Sequence, residues 1–254
     1  MVRQAPQNLP DKALVLSMMK PFYLKWAERI RAALAAHRFD NGRLHCHFPD
    51  ETLNTELGEI LSEGCMLAMY VGHGRSRGWS GYQGFRWKHV APHPQQAPIG
   101  TMISLSCSSL AQDKEYSLPM GLQWVMEERC GAFLGACDAV KIQPLAKITR
   151  YMLDILTLSD VLDIGDLIRR VDAQVNRSGD PEIQYCWRSF RLKRGKGIPT
   201  LSGSVIKRAS EEELKSDLQV LKLLAGGWWL LATGYWLFVT CKSWPETRNQ
   251  LLAA

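Results

Sequence analysis

CMLAMYVGHG, residues 65–74, is the stretch on which the fold turns. Seven uncharged, mostly apolar residues in a row are short for a helix but right for a strand buried on both faces of a sheet. The run stops at Gly72-His73-Gly74, which leaves a histidine at the carboxyl end of the strand. A second run, MISLS at 102–106, ends in the same manner at Cys107.

Upstream, ALVLS at Ala13–Ser17 reads as another buried strand, and the spacing predicts a helix over Pro21–His37 with Leu24, Ile30 and Leu34 on its apolar face. Proline near the start of that helix suits its missing amide hydrogen. Asn41-Gly42 marks a turn before a strand at 43–48 (RLHCHF). Asp50 is expected to cap a helix bearing Leu53, Leu57, Ile60 and Leu61 that stops at Gly64. Downstream, a helix is predicted over 119–129, a strand over 132–139, and helices over 145–156 and 159–175. Apolar strands separated by helices predict an α/β protein with a mainly parallel sheet covered on both faces. Such sheets gather their reactive groups at the strands' carboxyl ends, where His73 and Cys107 both lie.

Those two residue types form a working pair. A cysteine nucleophile needs a base for its proton, and imidazole titrates near neutrality. The tetrahedral intermediate then needs backbone N–H donors. Gly74 leaves its own amide unobstructed, and the Cys107 amide is the natural second donor.

The bulk properties set limits around this reading. The 254-residue chain, 46% hydrophobic and 22% charged, is sufficient for one medium domain with an appendage. The net charge of +6 is spread along the sequence with no nucleic-acid-binding motif beside it, so no nucleic-acid partner is expected. Seven cysteines, odd in number and without a CxxC pair, argue against a disulfide scaffold or zinc knuckle and for a reducing compartment. With no apolar signal core near the start, a cytoplasmic location is expected. On a strand, His45 and His47 would face one side and Cys46 the other, so that trio is not expected to hold a metal.

MLAMYVGHGRSRGWSGYQG at 66–84, GTMISLSCSSL at 100–110 and EERCGAFLGACDAV at 127–140 resemble, in order and spacing, the gingipain/CHAT branch of caspase-fold cysteine peptidases. NRSGDPEI at 176–183 is similar to the Gly-Asp-Pro turn that follows the core in the gingipain branch. The resemblance implies a three-layer α/β/α caspase-like fold over 1–183, with His73 as base and Cys107 as nucleophile of a dyad that needs no cofactor. It implies a cysteine endopeptidase acting on proteins in a regulated bacterial pathway of the antiviral-defence type, with an activating protease or regulatory protein as partner. A non-catalytic caspase-like interaction module is the competing class.

In relatives, the end of the strand after the nucleophile's helix lines the pocket for the P1 side chain. Asp138 occupies that place here, which would favour a basic P1 residue, with a helix cap or surface ion pair as the alternative. Leu105, two before the nucleophile, can line the same pocket; Arg75 and Arg77 would serve instead if acidic residues are preferred. Trp79 and the other aromatics between 75 and 98 are expected either to wall the substrate site or to pack on the core. The polar stretch 108–117 is expected to order on activation.

Residues 184–209 read as a basic linker or hairpin, with the run at 188–196 a solvated hairpin edge and Lys207-Arg208 a candidate self-processing site. In 210–254, Ser210 and Glu213 form a capping box opening a helix. The uncharged, aromatic-rich run at 223–241 is expected to form strands rather than a membrane span, which would make a tethered protease.

Overall fold

The computed structural model describes residues 9–37, 39, 43–47, 53–112, 118–158, 161, 163–196 and 198–200. The readings placed on Asn41-Gly42, Asp50, Lys207-Arg208 and the tail 210–254 therefore lie outside the described residues.

Among the described residues, eight strands and six α-helices follow one another as β1 (Ala13–Ser17), α1 (Pro21–His37), β2 (Leu44–His47), α2 (Asn54–Ser62), β3 (Cys65–Val71), β4 (Gly74–Arg75), β5 (Gly78–Trp79), β6 (Ile99–Leu105), α3 (Met120–Met126), β7 (Cys130–Ala136), α4 (Ile142–Leu158), α5 (Ile164–Ser178), α6 (Pro181–Arg188) and β8 (Phe190–Arg194). The main sheet runs β2-β1-β3-β6-β7-β8. Every neighbour pair in it is parallel except β7–β8.

The alternation of side chains along each strand divides the core in two. Val15, Met69, Val71, Ile103, Leu105 and Leu134 point to one face, under α1, α4, α5 and α6. Leu14, Leu16, Tyr70, Met102 and Phe133 point to the other, under α2, α3 and the aromatic segment after β5. Helix α1 meets the first face with Tyr23, Trp26, Ala27, Ile30 and Leu34, a three-and-four spacing that makes one stripe. On edge strand β2, Cys46 packs against the core while His45 is exposed, so the two point apart as the strand pleat requires.

Several boundaries differ from those read in the sequence. The backbone amide of Leu53 opens α2 by donating to the Glu56 carboxylate at 2.8 Å. NRSGDPEI is the junction of two helices rather than a turn after the core. Gly179 ends α5 in the left-handed conformation, φ 63°, that costs glycine nothing, and Asp180 caps α6 by accepting from the Glu182 and Ile183 amides at 2.9 and 3.2 Å. Pro181 then takes the first helical position, where no amide hydrogen is needed.

The basic run is a strand. β8 pairs antiparallel with β7 from Phe190↔Ala136 to Arg194↔Ala132, burying Phe190 and leaving Arg191, Lys193 and Arg194 in water. Charged side chains on an exposed edge discourage further strand addition. The core thus continues past residue 183 to at least β8.

Candidate active site

β3 and β6 are hydrogen-bonded neighbours whose register pairs Val71 with Leu105. His73 and Cys107 each lie two residues beyond that pair. Parallel neighbours are about 4.8 Å apart, and both residues line one cleft of about 560 Å³ together with Tyr23, Val140, Lys141 and Glu182.

His73 is pinned through its backbone. Its carbonyl accepts from the Tyr70 hydroxyl and from the Ser80 amide, each at 2.9 Å. Its ring is held from the opposite layer by Tyr23 of α1, which meets it edge to face with centroids 5.3 Å apart. The Tyr23 hydroxyl is 3.4 Å from Nδ1, which leaves Nε2 as the nitrogen available to a thiol. Burial raises the Tyr23 pKa above its ordinary value, and the nearby Cys107 pushes the same way, so this phenol stays neutral at physiological pH.

Cys107 follows β6 on a turn fastened to the end of β7. The next residue, Ser108, has φ 56°, a costly conformation for a residue with a side chain. Its amide donates to the Asp138 carbonyl at 3.0 Å, and the Leu110 amide donates to the Ala136 carbonyl at 2.9 Å. The sulfur lies 3.4 Å from the Val140 amide, which can donate to it, and 3.6 Å from the Val140 carbonyl.

Gly74 admits no side chain. A Cβ there would lie 2.3 Å from Ser106 Oγ and 2.6 Å from the Cys107 carbonyl oxygen. The backbone after the histidine therefore packs directly against the backbone that carries Cys107.

The residues expected to shape the substrate pocket fare differently. Trp79 is 1% exposed. Its ring stacks between Tyr70 and Phe85 at 4.2 and 5.4 Å, and its Nε1 donates to Ser104 Oγ at 3.0 Å. Of the two readings for the aromatic segment, core packing describes most of Trp79, which also lines a cavity on the β4–β5 hairpin. Ser104 Oγ in turn shares a hydrogen bond with Ser106 Oγ at 2.8 Å, so Trp79 braces the end of β6. Leu105 is fully buried on the α1 and α4 face of the sheet and is not among the residues lining the cleft. Asp138 stands on the bend after β7, which ends at Ala136 rather than at 139. Its side chain is exposed and accepts from the Ala139 amide at 2.7 Å, outside the cleft lining.

The carboxylate that does line the cleft is Glu182, at the start of α6, paired with Lys141 Nζ at 2.5 Å. Sequence reasoning missed Glu182, Lys141, Tyr23 and Val140. Only the Gly-Asp-Pro junction before Glu182 was a visible signal. In the stretch after Cys107, Ser109 and Leu110 are buried, and 113–117 lies outside the described residues.

The family model for peptidase family C25 matches residues 11–193. Among solved structures, the fold is similar to the Arg-specific cysteine proteinase gingipain R (RgpB), with TM-score 0.61 and 11% identity over 77% of this chain and 50% of that one. It is similar to the complex of the Porphyromonas gingivalis RgpB pro- and mature domains, with TM-score 0.61 and 12% identity over 77% and 51%. It is also similar to the Saccharomyces cerevisiae separase–securin complex, with TM-score 0.52 and 16% identity over 76% of this chain and 13% of that one. The chain thus spans about half the length of the gingipain chains it matches. No curated protein sequence matches it. The architecture is the three-layer, caspase-like α/β/α fold.

Proposed function

This chain belongs to peptidase family C25, and on that basis we propose that it is a cysteine endopeptidase working through a Cys107–His73 dyad. The observation that carries this reading is the cleft itself. Two residues beyond the register pair of adjacent parallel strands, it holds a thiol and an imidazole whose other nitrogen is occupied by Tyr23.

In this mechanism the Cys107 proton passes to His73, and Sγ bonds to the scissile carbonyl carbon. The Gly74 and Cys107 amides hold the oxyanion. The intermediate collapses with loss of the amine, which takes the proton from His73. Water activated by His73 then hydrolyses the thioester and frees the thiol. No cofactor enters.

A basic P1 residue is the specificity this cleft supports best. Glu182 provides the anion, and Lys141 and Glu182 are 75% and 57% exposed, so an arginine or lysine of the substrate can take the place of Lys141. Hydrolysis of peptides with Arg, Lys, Leu or Asp at P1 tests the reading. Cleavage after Arg and Lys that Cys107→Ala abolishes is expected. Cleavage that survives Cys107→Ala overturns the dyad, and preference for Leu or Asp overturns the basic P1.

The described cysteines are free thiols, which suits action in a reducing, cytoplasmic setting. Control by an activating protease or a regulatory protein, in a defence-type pathway, is the biological context proposed for it. The similar structures include a pro-domain complex and a securin complex, which is consistent with control by a bound protein segment.

A further inference from the structure

A second cavity, of about 470 Å³, opens on the β4–β5 hairpin immediately after His73 and Gly74. Arg75, Arg77 and Arg86 line it together with Ser76, Gly78, Trp79, Ser80 and Gly84, and among the described residues no acidic side chain does. The Arg75 and Arg86 side chains are exposed and enter no ion pair among the described residues. Arg77 has an interaction of its own, and the site does not depend on it.

Arginines on a surface are usually scattered and solvated. Here two unpaired guanidiniums share one concavity whose position is fixed by the active site. The Ser80 amide donates to the His73 carbonyl, and the Phe85 carbonyl accepts from the Trp79 amide at 2.9 Å, so the hairpin cannot swing away. From His73 to Arg75 is two residues, at most about 7 Å of backbone. An extended peptide advances about 3.3 Å per residue. A substrate side chain one to three positions from the scissile bond therefore reaches this cavity.

We propose that Arg75 and Arg86 form a subsite for an acidic side chain of the substrate, one to three residues from the bond that is cut. The subsite rests on the reading of the neighbouring cleft as a peptidase site. It takes a carboxylate because a guanidinium fork matches that group with two parallel hydrogen bonds. Charge opposite in sign to that of the Glu182 cleft makes the substrate bipolar, with a base at P1 and an acid beside it. Such a pattern fixes the direction and register of the peptide as well as its affinity.

Binding to the Cys107→Ala protein tests this without requiring turnover. The probes are fluorescein-labelled peptides with one central arginine and either Asp or Asn at each of the three positions on either side. At low salt, one Asp position is expected to bind about tenfold more tightly than its Asn counterpart, as a charge-assisted pair permits. Adding Arg75→Gln and Arg86→Gln together is expected to erase that preference while leaving the Asn peptide's affinity unchanged. Equal binding of Asp and Asn peptides, a preference that survives the double substitution, or no binding of any peptide overturns the subsite. Failure of the peptidase reading shows separately, as absence of cleavage by the wild-type protein.

Discussion

The Tyr23 hydroxyl lies 3.4 Å from His73 Nδ1, with the two rings edge to face at an interplanar angle of 78°. A residue on the first helix thereby orients a side chain at the end of the third strand. In the proposed dyad, this neutral phenol is the group that, among the described residues, faces the second nitrogen of His73.

Tyr23→Phe keeps the ring and removes the hydroxyl. A contact at 3.4 Å is long for an O–H···N bond, so the expected loss is modest, about three- to tenfold in kcat with KM unchanged. Steady-state kinetics on a P1-Arg peptide measure it, and an effect on KM alone would contradict a positioning role. Tyr23→Ala removes a side chain that is 4% exposed and should also cost about 3 kcal/mol of stability, read by urea denaturation.

Gly74→Ala places a methyl group against Ser106 Oγ and the Cys107 carbonyl. Relief requires moving one of the two backbones that meet at the site. A fall in kcat of about 100-fold is expected, the scale associated with a lost oxyanion donor. The melting temperature should change by only a few degrees. Activity within twofold of wild type would show that the two backbones tolerate separation.

Trp79→Phe removes the indole N–H from Ser104 Oγ and part of the stack between Tyr70 and Phe85. Lost packing and a lost buried hydrogen bond together predict a destabilisation of about 2 kcal/mol. The ratio of kcat/KM values among peptides that differ in side-chain size should stay constant. A changed ratio would restore Trp79 as a substrate contact.

Alkaline pH should destabilise the fold through its buried thiols. Burial pushes Cys130 up from 9.0 to about 12, and Cys186 likewise to about 12. The unfolded chain releases these protons first, so their contribution is fully present below about pH 9 and is lost between pH 9 and 12. Each such thiol removes about 1.4 kcal/mol per pH unit in that window. Urea midpoints at pH 8 and 10.5 should fall steeply for wild type and less steeply for Cys130→Ala. Parallel slopes would contradict the assignment.

The strands were legible because a parallel sheet covered on both faces demands uninterrupted apolar runs, and Cys65–Val71 is one. The order His73 then Cys107 at strand ends was legible for the same reason. Helix α6 was not, because Gly179 and Asp180 close one helix and open the next, and the same residue types make a turn. The run at 188–196 was legible as a solvated strand edge from its alternating charges, but its pairing with β7, across three intervening helices, has no local sign. Trp79 could not be placed by composition, since an aromatic next to glycines suits a wall or a core equally. Tyr23 and Glu182 carry no local sign of their role. Each reaches the cleft only because α1 and α6 pack on the same face of the sheet.

Labelling of the native protein with a peptidyl-arginine chloromethyl ketone, followed by mass mapping, is the sharpest test of the Cys107–His73 dyad. One equivalent bound at Cys107 is expected, with labelling slowed at least tenfold by His73→Ala. Cys65 and Cys130 should stay unmodified, since burial holds their thiols protonated. Label on another cysteine, or a rate at Cys107 indifferent to His73, would contradict the dyad.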